Sequence, residues 1–293
     1  MALVTANLVA EYVGRLAKAG TAPGNNADPT SVWDDLEGSY DSGSITTFGW
    51  TTSSGWAGSG TSGDPYRMVF DATNDDVPLT LGLNSTFATK TFSIETWSAL
   101  PSNAGGSLGI LGWCDSSYAN AVDIRVTSHH LETHFVVAST DAIVNGTAAI
   151  DDGAMHHIVV TAGGGYWTAY VDGAGVGTPA AIGGGTLAAF IKGALGANAG
   201  WLTYCIHSTA TLRLYSAALT SGDVAANYAA GVLAASTDSS APTLTTTAIS
   251  AIAADSATSG GSITSDGGAT ITARGVCWNT TGTPTIADSH TSD

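Results

Sequence analysis

Short apolar runs, each stopped by Gly, Asp, Asn or Ser, recur from "LVAEYV" at residue 8 to "ATLRLYSAAL" at residue 210. Between them lie "YRMVFD", "TFSIETWSAL", "LGILGW", "AVDIRV", "THFVVA", "HHIVVTA", "YWTAYVDG" and "AFIKGALG". Runs of this kind read as strands, and without long helical segments alternating between them they predict an all-β sandwich or barrel rather than a parallel α/β sheet. In "TFSIETW" a period of two sets Phe92, Ile94 and Thr96 on one face and Ser93, Glu95 and Trp97 on the other, which predicts a sheet with one face in the core. "YWTAYV" has large residues on both faces, so it is expected to be covered on both sides.

One helix breaks the series. In "LTSGDVAANYAAG" the pair Thr220/Ser221 can cap, Asp223 suits the first turn, Val224 and Tyr228 lie four apart, and Gly231 can end the helix. The Ser/Thr/Asp stretch with Pro242 that follows reads as a linker over 236–242, which places one domain over 1–235 and a shorter β segment over 243–293.

Histidines supply the first candidate chemistry. Neighbours on a strand point to opposite faces, so His156 and His157 are not expected to form a joint site. One is expected to hydrogen-bond backbone at the sandwich and the other to meet solvent, with Gly163, Gly164 and Gly165 turning the hairpin and Asp172–Gly173 closing the next strand. His129, His130 and His134 in "SHHLETH" could mimic a helical zinc pair, but their strand-like flanks predict a hairpin turn.

Composition changes the picture mainly by exclusion. The chain has 293 residues, 8 Lys+Arg against 24 Asp+Glu, and a net charge of -16. Phosphate backbones and anionic membranes are therefore repelled, so neither nucleic acid nor anionic lipid is expected as a partner, and with no run of 18 apolar residues no membrane insertion is expected. Cys114, Cys205 and Cys277 form no CxxC pair and are read as small buried hydrophobes, a Cys114–Cys205 bridge being the alternative. The N-terminal segment lacks a basic region and a long apolar stretch, so no cleaved signal peptide is expected. The sequons at Asn84, Asn145 and Asn279 are read as chance.

Five segments in order, "SVWDDLEGSYDSGSIT", "MVFDATNDDVPL", "FSIETWSAL", "MHHIVVTAGGGYWTAYVDGAGVG" and "LRLYSAALTSGDVAANYAAG", resemble the laminin-G-like or concanavalin-A-like jelly-roll family. The resemblance implies a jelly-roll β-sandwich with one short C-terminal helix. The tail "ITARGVCWNTTGTPTI" resembles the first half of a fibronectin-III-like or Ig-like repeat, a partial domain that a longer polypeptide or another chain would complete.

The resemblance also frames the candidate sites. Relatives that hydrolyse glycosides carry paired carboxylates on one strand, whereas the comparable "SIETW" offers Glu95 alone, so no catalytic residue is assigned. Calcium-binding relatives use side-chain oxygens from several loops. Here the two equivalent loops keep only Asn120 and Asn198, which leaves Asp75, Asp76 and Asn120 as weak calcium candidates and no other cofactor. Sugar binding on this scaffold uses aromatic faces in polar loops, and Trp50, Trp56, Trp113, Tyr118 and Trp201 lie in Gly/Ser/Asn-rich segments.

By analogy with jelly rolls and Ig-like repeats used as surface modules, the chain is expected to be a non-enzymatic structural or adhesion protein of a tailed-bacteriophage virion. It would be made in the host cytoplasm and displayed in many copies, or as a homo-oligomer, on capsid or tail. Its partners would be other virion proteins and host-surface glycans. The alternatives are a bacterial surface or secreted carbohydrate-binding module and, further off, a glycoside hydrolase.

Overall fold

A computed structural model describes residues 3–13, 32–33, 43–44, 47–51, 53–79, 87–102, 106–197, 205–235, 243–265 and 274–291. The chain divides into two compact units, Met1–Ser236 and Thr237–Asp293. The expected linker over 236–242 lies outside the described residues.

Strands of the first unit are β1 (Leu8–Val13), β2 (Val32–Trp33), β3 (Gly43–Ser44), β4 (Gly55–Ala57), β5 (Arg67–Asp71), β6 (Val77–Pro78), β7 (Phe92–Ala99) and β8 (Ser107–Cys114). They continue as β9 (Ala121–Thr127), β10 (His130–Val137), β11 (Thr140–Ala149), β12 (Met155–Gly163), β13 (Tyr166–Val171), β14 (Ala174–Ala181), β15 (Lys192–Leu195) and β16 (Ile206–Tyr215). One sheet runs β14-β13-β12-β7-β16-β5-β4, with β1 also paired to β16, and the other runs β11-β10-β9-β8-β15-β6. All pairings are antiparallel. This is the all-β jelly-roll sandwich expected from the sequence.

The core lies between the sheets because period two sends every second side chain there. Phe92 and Trp167 from the eight-stranded sheet meet Phe135 from the six-stranded one, each pair of ring centroids 5.3 Å to 6.1 Å apart. Each such ring, fully buried, contributes on the order of 2–3 kcal/mol. Four hairpins set the register. Ser128–His129, Ala138–Ser139, Gly164–Gly165 and Asp172–Gly173 all have positive φ at both central residues, the two-residue turn whose twist matches the flanking strands.

Helix α1 (Ser221–Ala230) starts at Thr220, whose side chain and Asp223 form a reciprocal capping box, and Gly231 follows it at φ 89. It covers the outward face of the eight-stranded sheet. Ser93, Glu95 and Trp97 are therefore buried, which corrects the expectation of a sheet with a single core face. The reading of "YWTAYV" is corrected in the opposite sense: Trp167, Ala169 and Val171 are buried, but Tyr166 on the outward side is 54% exposed, because α1 does not reach that far. Strands β11 and β14 were not anticipated from the sequence. Both are sheet edges rich in Ala, Gly and Thr, so little apolar alternation marks them.

In the second unit β17 (Thr243–Ser250) pairs with β18 (Thr258–Ser265), and β19 (Cys277–Trp278) with β20 (Ser289–His290). None of its described residues is buried, and Leu244, Ile249 and Ile252 are exposed. Cys277 is half-buried, whereas Cys114 and Cys205 are buried and no disulfide joins them.

Candidate functional site

The outward face of the eight-stranded sheet carries two polar regions on the same strands. At the first, β7, β12, β16 and β1 bring Glu95, His157, Arg213 and Glu11 together, because His157 pairs with Trp97, Arg213 with Glu95 and Glu11 with Arg213. Arg213 Nε donates to Glu11 Oε1 at 2.6 Å and Nη1 to Glu95 Oε1 at 2.5 Å, and Nη2 donates to the Ala234 carbonyl. Glu95 Oε2 accepts from Asn227 Nδ2 on α1 at 2.6 Å and from the Tyr215 hydroxyl at 3.1 Å. His157 Nε2 lies 3.3 Å from Glu95 Oε1 without hydrogen-bond alignment.

All of these groups are buried. Burial alone would raise the Glu95 pKa, but Arg213, His157 and Asn227 outweigh it and hold the carboxyl at about 2. A carboxylate ionised and enclosed in this way has neither a proton to give nor a path to substrate. Glu95 thus joins the sheet to α1, and Arg213 joins it to the segment that follows α1. The expected backbone hydrogen bond from a histidine ring is not found at His157, whose imidazole packs tilted against both Trp97 (4.9 Å) and Tyr228 (5.8 Å), two rings that also stack on each other. His156 faces the other way and bridges Asp172 (2.8 Å) and Asp152 (3.1 Å).

The second region is a cleft of about 630 Å3 at the far end of the same strands. Strand pairing puts Met155, Ala99, Ser208 and Val69 in one row across β12, β7, β16 and β5, and this row is its floor. The short side chains of Ala99 and Ser208 leave the depth. One wall is the β4–β5 turn, where Arg67 Nη1 donates to Asp64 Oδ1 at 2.6 Å and to the Pro65 carbonyl at 3.1 Å. That guanidinium holds the Asp64 carboxyl below its ordinary range. The opposite wall is Gly153–Met155 with Leu100 and Pro101. Ile206, 50% exposed, borders the opening. His207 contributes no imidazole chemistry there, for its ring stacks on Phe70 at 4.3 Å and burial pushes it down to about 4.

The aromatic candidates lie elsewhere. Trp56 and Trp113 are buried in the core, Trp56 against Trp33 and Trp113 against Phe87, so neither offers a face to a ligand. Trp50 is half-buried and packs on Phe48. Tyr118 covers Cys114, Ala121 and Val136. Trp201 and Asn198 fall outside the described residues.

The calcium candidates build turns. Asp75 is buried and Oδ2 accepts from the Asp71 amide at 2.9 Å, while burial raises the carboxyl pKa of Asp75 and of its half-buried neighbour Asp76. Asn120 bonds Asp115 and the Ala138 amide, and no cluster of metal ligands occurs among the described residues. The "SHHLETH" hairpin forms as expected, and its imidazoles take different partners, His129 with Asp151 and His134 with Asp141 and Glu132.

Sequence reasoning missed the cleft. The Asp64-x-x-Arg67 spacing around Pro65 was a local signal for an ion pair at a turn. The floor had none, because it exists only when four strands pair in register.

The architecture is that of a lectin-like jelly roll. The family model described as the concanavalin A-like lectin/glucanases superfamily matches residues 71–225, and the chain belongs to that family. No curated protein matches the chain in sequence. Among solved structures it is similar to Trypanosoma rangeli sialidase in complex with sialic acid, at 14% identity and a TM-score of 0.54 over 78% of this chain and 33% of that one. It is also similar to the binding domain of Paraclostridial Mosquitocidal Protein 1, at 13% identity and a TM-score of 0.54 over 76% and 52%. Domain 4 of AbnA, a GH43 extracellular arabinanase from Geobacillus stearothermophilus, in complex with arabinotriose, matches at 17% identity and 0.53 over 76% and 98%. The chain thus spans about a third of the sialidase and nearly the whole of the arabinanase domain.

Proposed function

We propose that the first unit is a non-catalytic carbohydrate-binding module that seats a glycan in the cleft between the Asp64–Arg67 turn and Gly153–Met155. The carrying observation is the pairing of an ion pair with apolar surface in one open depression. Asp64 and Arg67 supply an acceptor and donors for sugar hydroxyls, and Pro65, Pro101, Met155 and Ile206 supply apolar surface for C–H faces. The enclosure of Glu95 favours binding over hydrolysis, and the match to nearly all of an arabinotriose-bound domain supports a binding role.

Binding by one copy is weak in this reading, and display of many copies multiplies it. The finer placement, on the capsid or tail of a tailed bacteriophage, is supported by the net charge of -16, which keeps crowded copies soluble and apart. Mass spectrometry of purified particles should then find the chain in stoichiometric amount, and its absence would remove the virion placement while leaving the binding role. The binding role is tested on a glycan array that includes arabinotriose. Arg67→Ala is expected to weaken the best ligand about tenfold. Equal binding by the variant, or turnover of the glycan by the native chain, would refute it.

A further inference from the structure

The wall of the cleft at Gly153–Met155 belongs to the crossover from β11 in one sheet to β12 in the other, and it is held by imidazole–carboxylate pairs. From the β9–β10 turn, His129 Nδ1 meets Asp151 Oδ2 at 2.6 Å. From β12, His156 Nδ1 meets Asp172 Oδ2 at 2.8 Å and Nε2 meets Asp152 Oδ1 at 3.1 Å. Asp152 Oδ1 also accepts from the Ala154 amide at 2.8 Å, so the carboxylate that His156 grips is the one that shapes the turn. The Gly153 amide donates to the Leu100 carbonyl on the adjoining part of the cleft, and Ser102 Oγ donates to the Asp152 carbonyl.

Both partners of His156 are carboxylates, which only accept. A neutral imidazole has one N–H and can satisfy one of them, whereas the imidazolium has two and satisfies both. We propose that His156 is a proton-dependent clamp on the ligand cleft: protonated, it bridges Asp152 and Asp172 and fixes the 152–155 wall; deprotonated, it releases Asp152 and loosens the wall.

This inference rests on the cleft being the glycan site. The charged groups facing His156 are Asp152 from the preceding turn and Asp172 from the β13–β14 turn. The hydrogen bond to Asp172 raises the His156 pKa against the effect of burial, and Asp152 adds to it. A raised pKa means the bridge is complete below about 6.5 and is lost as pH rises through the folded value. The lowered pKa values of Asp152 and Asp172 keep both carboxylates ionised down to below about 4, so the clamp is tightest in mildly acidic solution.

The test uses the full chain at pH 5.5 and pH 8. Hydrogen-exchange protection of the Gly153 and Ala154 amides, corrected for intrinsic rates, is expected to fall several-fold at the higher pH. The fall should vanish in His156→Gln and in Asp152→Asn, the latter removing an exposed carboxylate that the core does not need. Protection that does not change with pH, or a fall that persists in both variants, overturns the clamp. In parallel, arabinotriose and the other glycans of the array are measured at both pH values, with a several-fold loss of binding expected at pH 8. Equal binding at both values, with the amides responding, overturns the coupling to ligand. Binding by no glycan at either pH overturns the site assignment, and the exchange data alone then decide the clamp.

Discussion

Along β7 the outward side chains pass from Glu95, enclosed with Arg213 under α1, to Ala99, open on the floor of the cleft. Both regions use an arginine–carboxylate pair on one continuous sheet face. At Arg213 the pair is dry and satisfied on every side, and removing one partner strands a buried charge. At Arg67 the side chains are 28% and 48% exposed, water competes for each hydrogen bond, and the pair is worth at most about 1 kcal/mol to folding. What separates the two is the cover. The helix and the segments around Val4 and Ala234 lie over the first, through the Val4 amide on Asn227 and the Ala234 carbonyl on Arg213, and stop short of the second. One fold thereby places a structural ion network and the cleft proposed as a binding surface side by side.

The largest effect should come from breaking the enclosed pair. Arg213→Met leaves Glu11 and Glu95 buried without their cation and is expected to cost about 3–5 kcal/mol, measured by urea unfolding of the full chain. A double change that also replaces both glutamates by apolar residues should recover most of that loss. Next comes acid. Glu95 is held at about 2 against an ordinary 4.5, so its contribution is complete above about pH 4.5 and disappears as pH falls through about 2, on the order of 3 kcal/mol. The unfolding midpoint should be insensitive to this group between pH 7 and 5 and should drop steeply below 4.

Loosening the cover is a smaller perturbation. Thr220→Ala removes the N-cap of α1 and should cost about 1 kcal/mol in the same assay, with faster amide exchange confined to the helix. Arg67→Ala should change stability by less than about 0.5 kcal/mol while reducing glycan binding, the reverse of the Arg213 result. If Arg67→Ala unfolded the domain, or Arg213→Met left it stable, the contrast between the two pairs would fail.

Much of the fold was legible along the chain. The interior strands, the capping of α1 at Thr220 and the Asp172–Gly173 turn follow from local pattern and turn chemistry, and the edge strands β11 and β14 did not show because little that is apolar alternates in them. The candidate site was less legible. Trp56 and Trp113 looked like loop aromatics because Gly and Ser surround them, yet glycines in strands also make room for a large ring: a Cβ on Gly193 would come within 2.0 Å of Trp113. Composition around an aromatic does not tell a rim from a packed core.

The sequence by itself determined the all-β class, the opposite facing of His156 and His157, and the net charge of -16, because periodicity, turn residues and charge are properties of neighbours and sums. Only the tertiary structure decided that Glu95 is enclosed, that His156 meets both Asp152 and Asp172, and that Ala99 and Ser208 floor a cleft. Each of those depends on which strands pair and on what covers them, and such contacts join residues as far apart as Glu11 and Arg213, whose proximity no local pattern encodes.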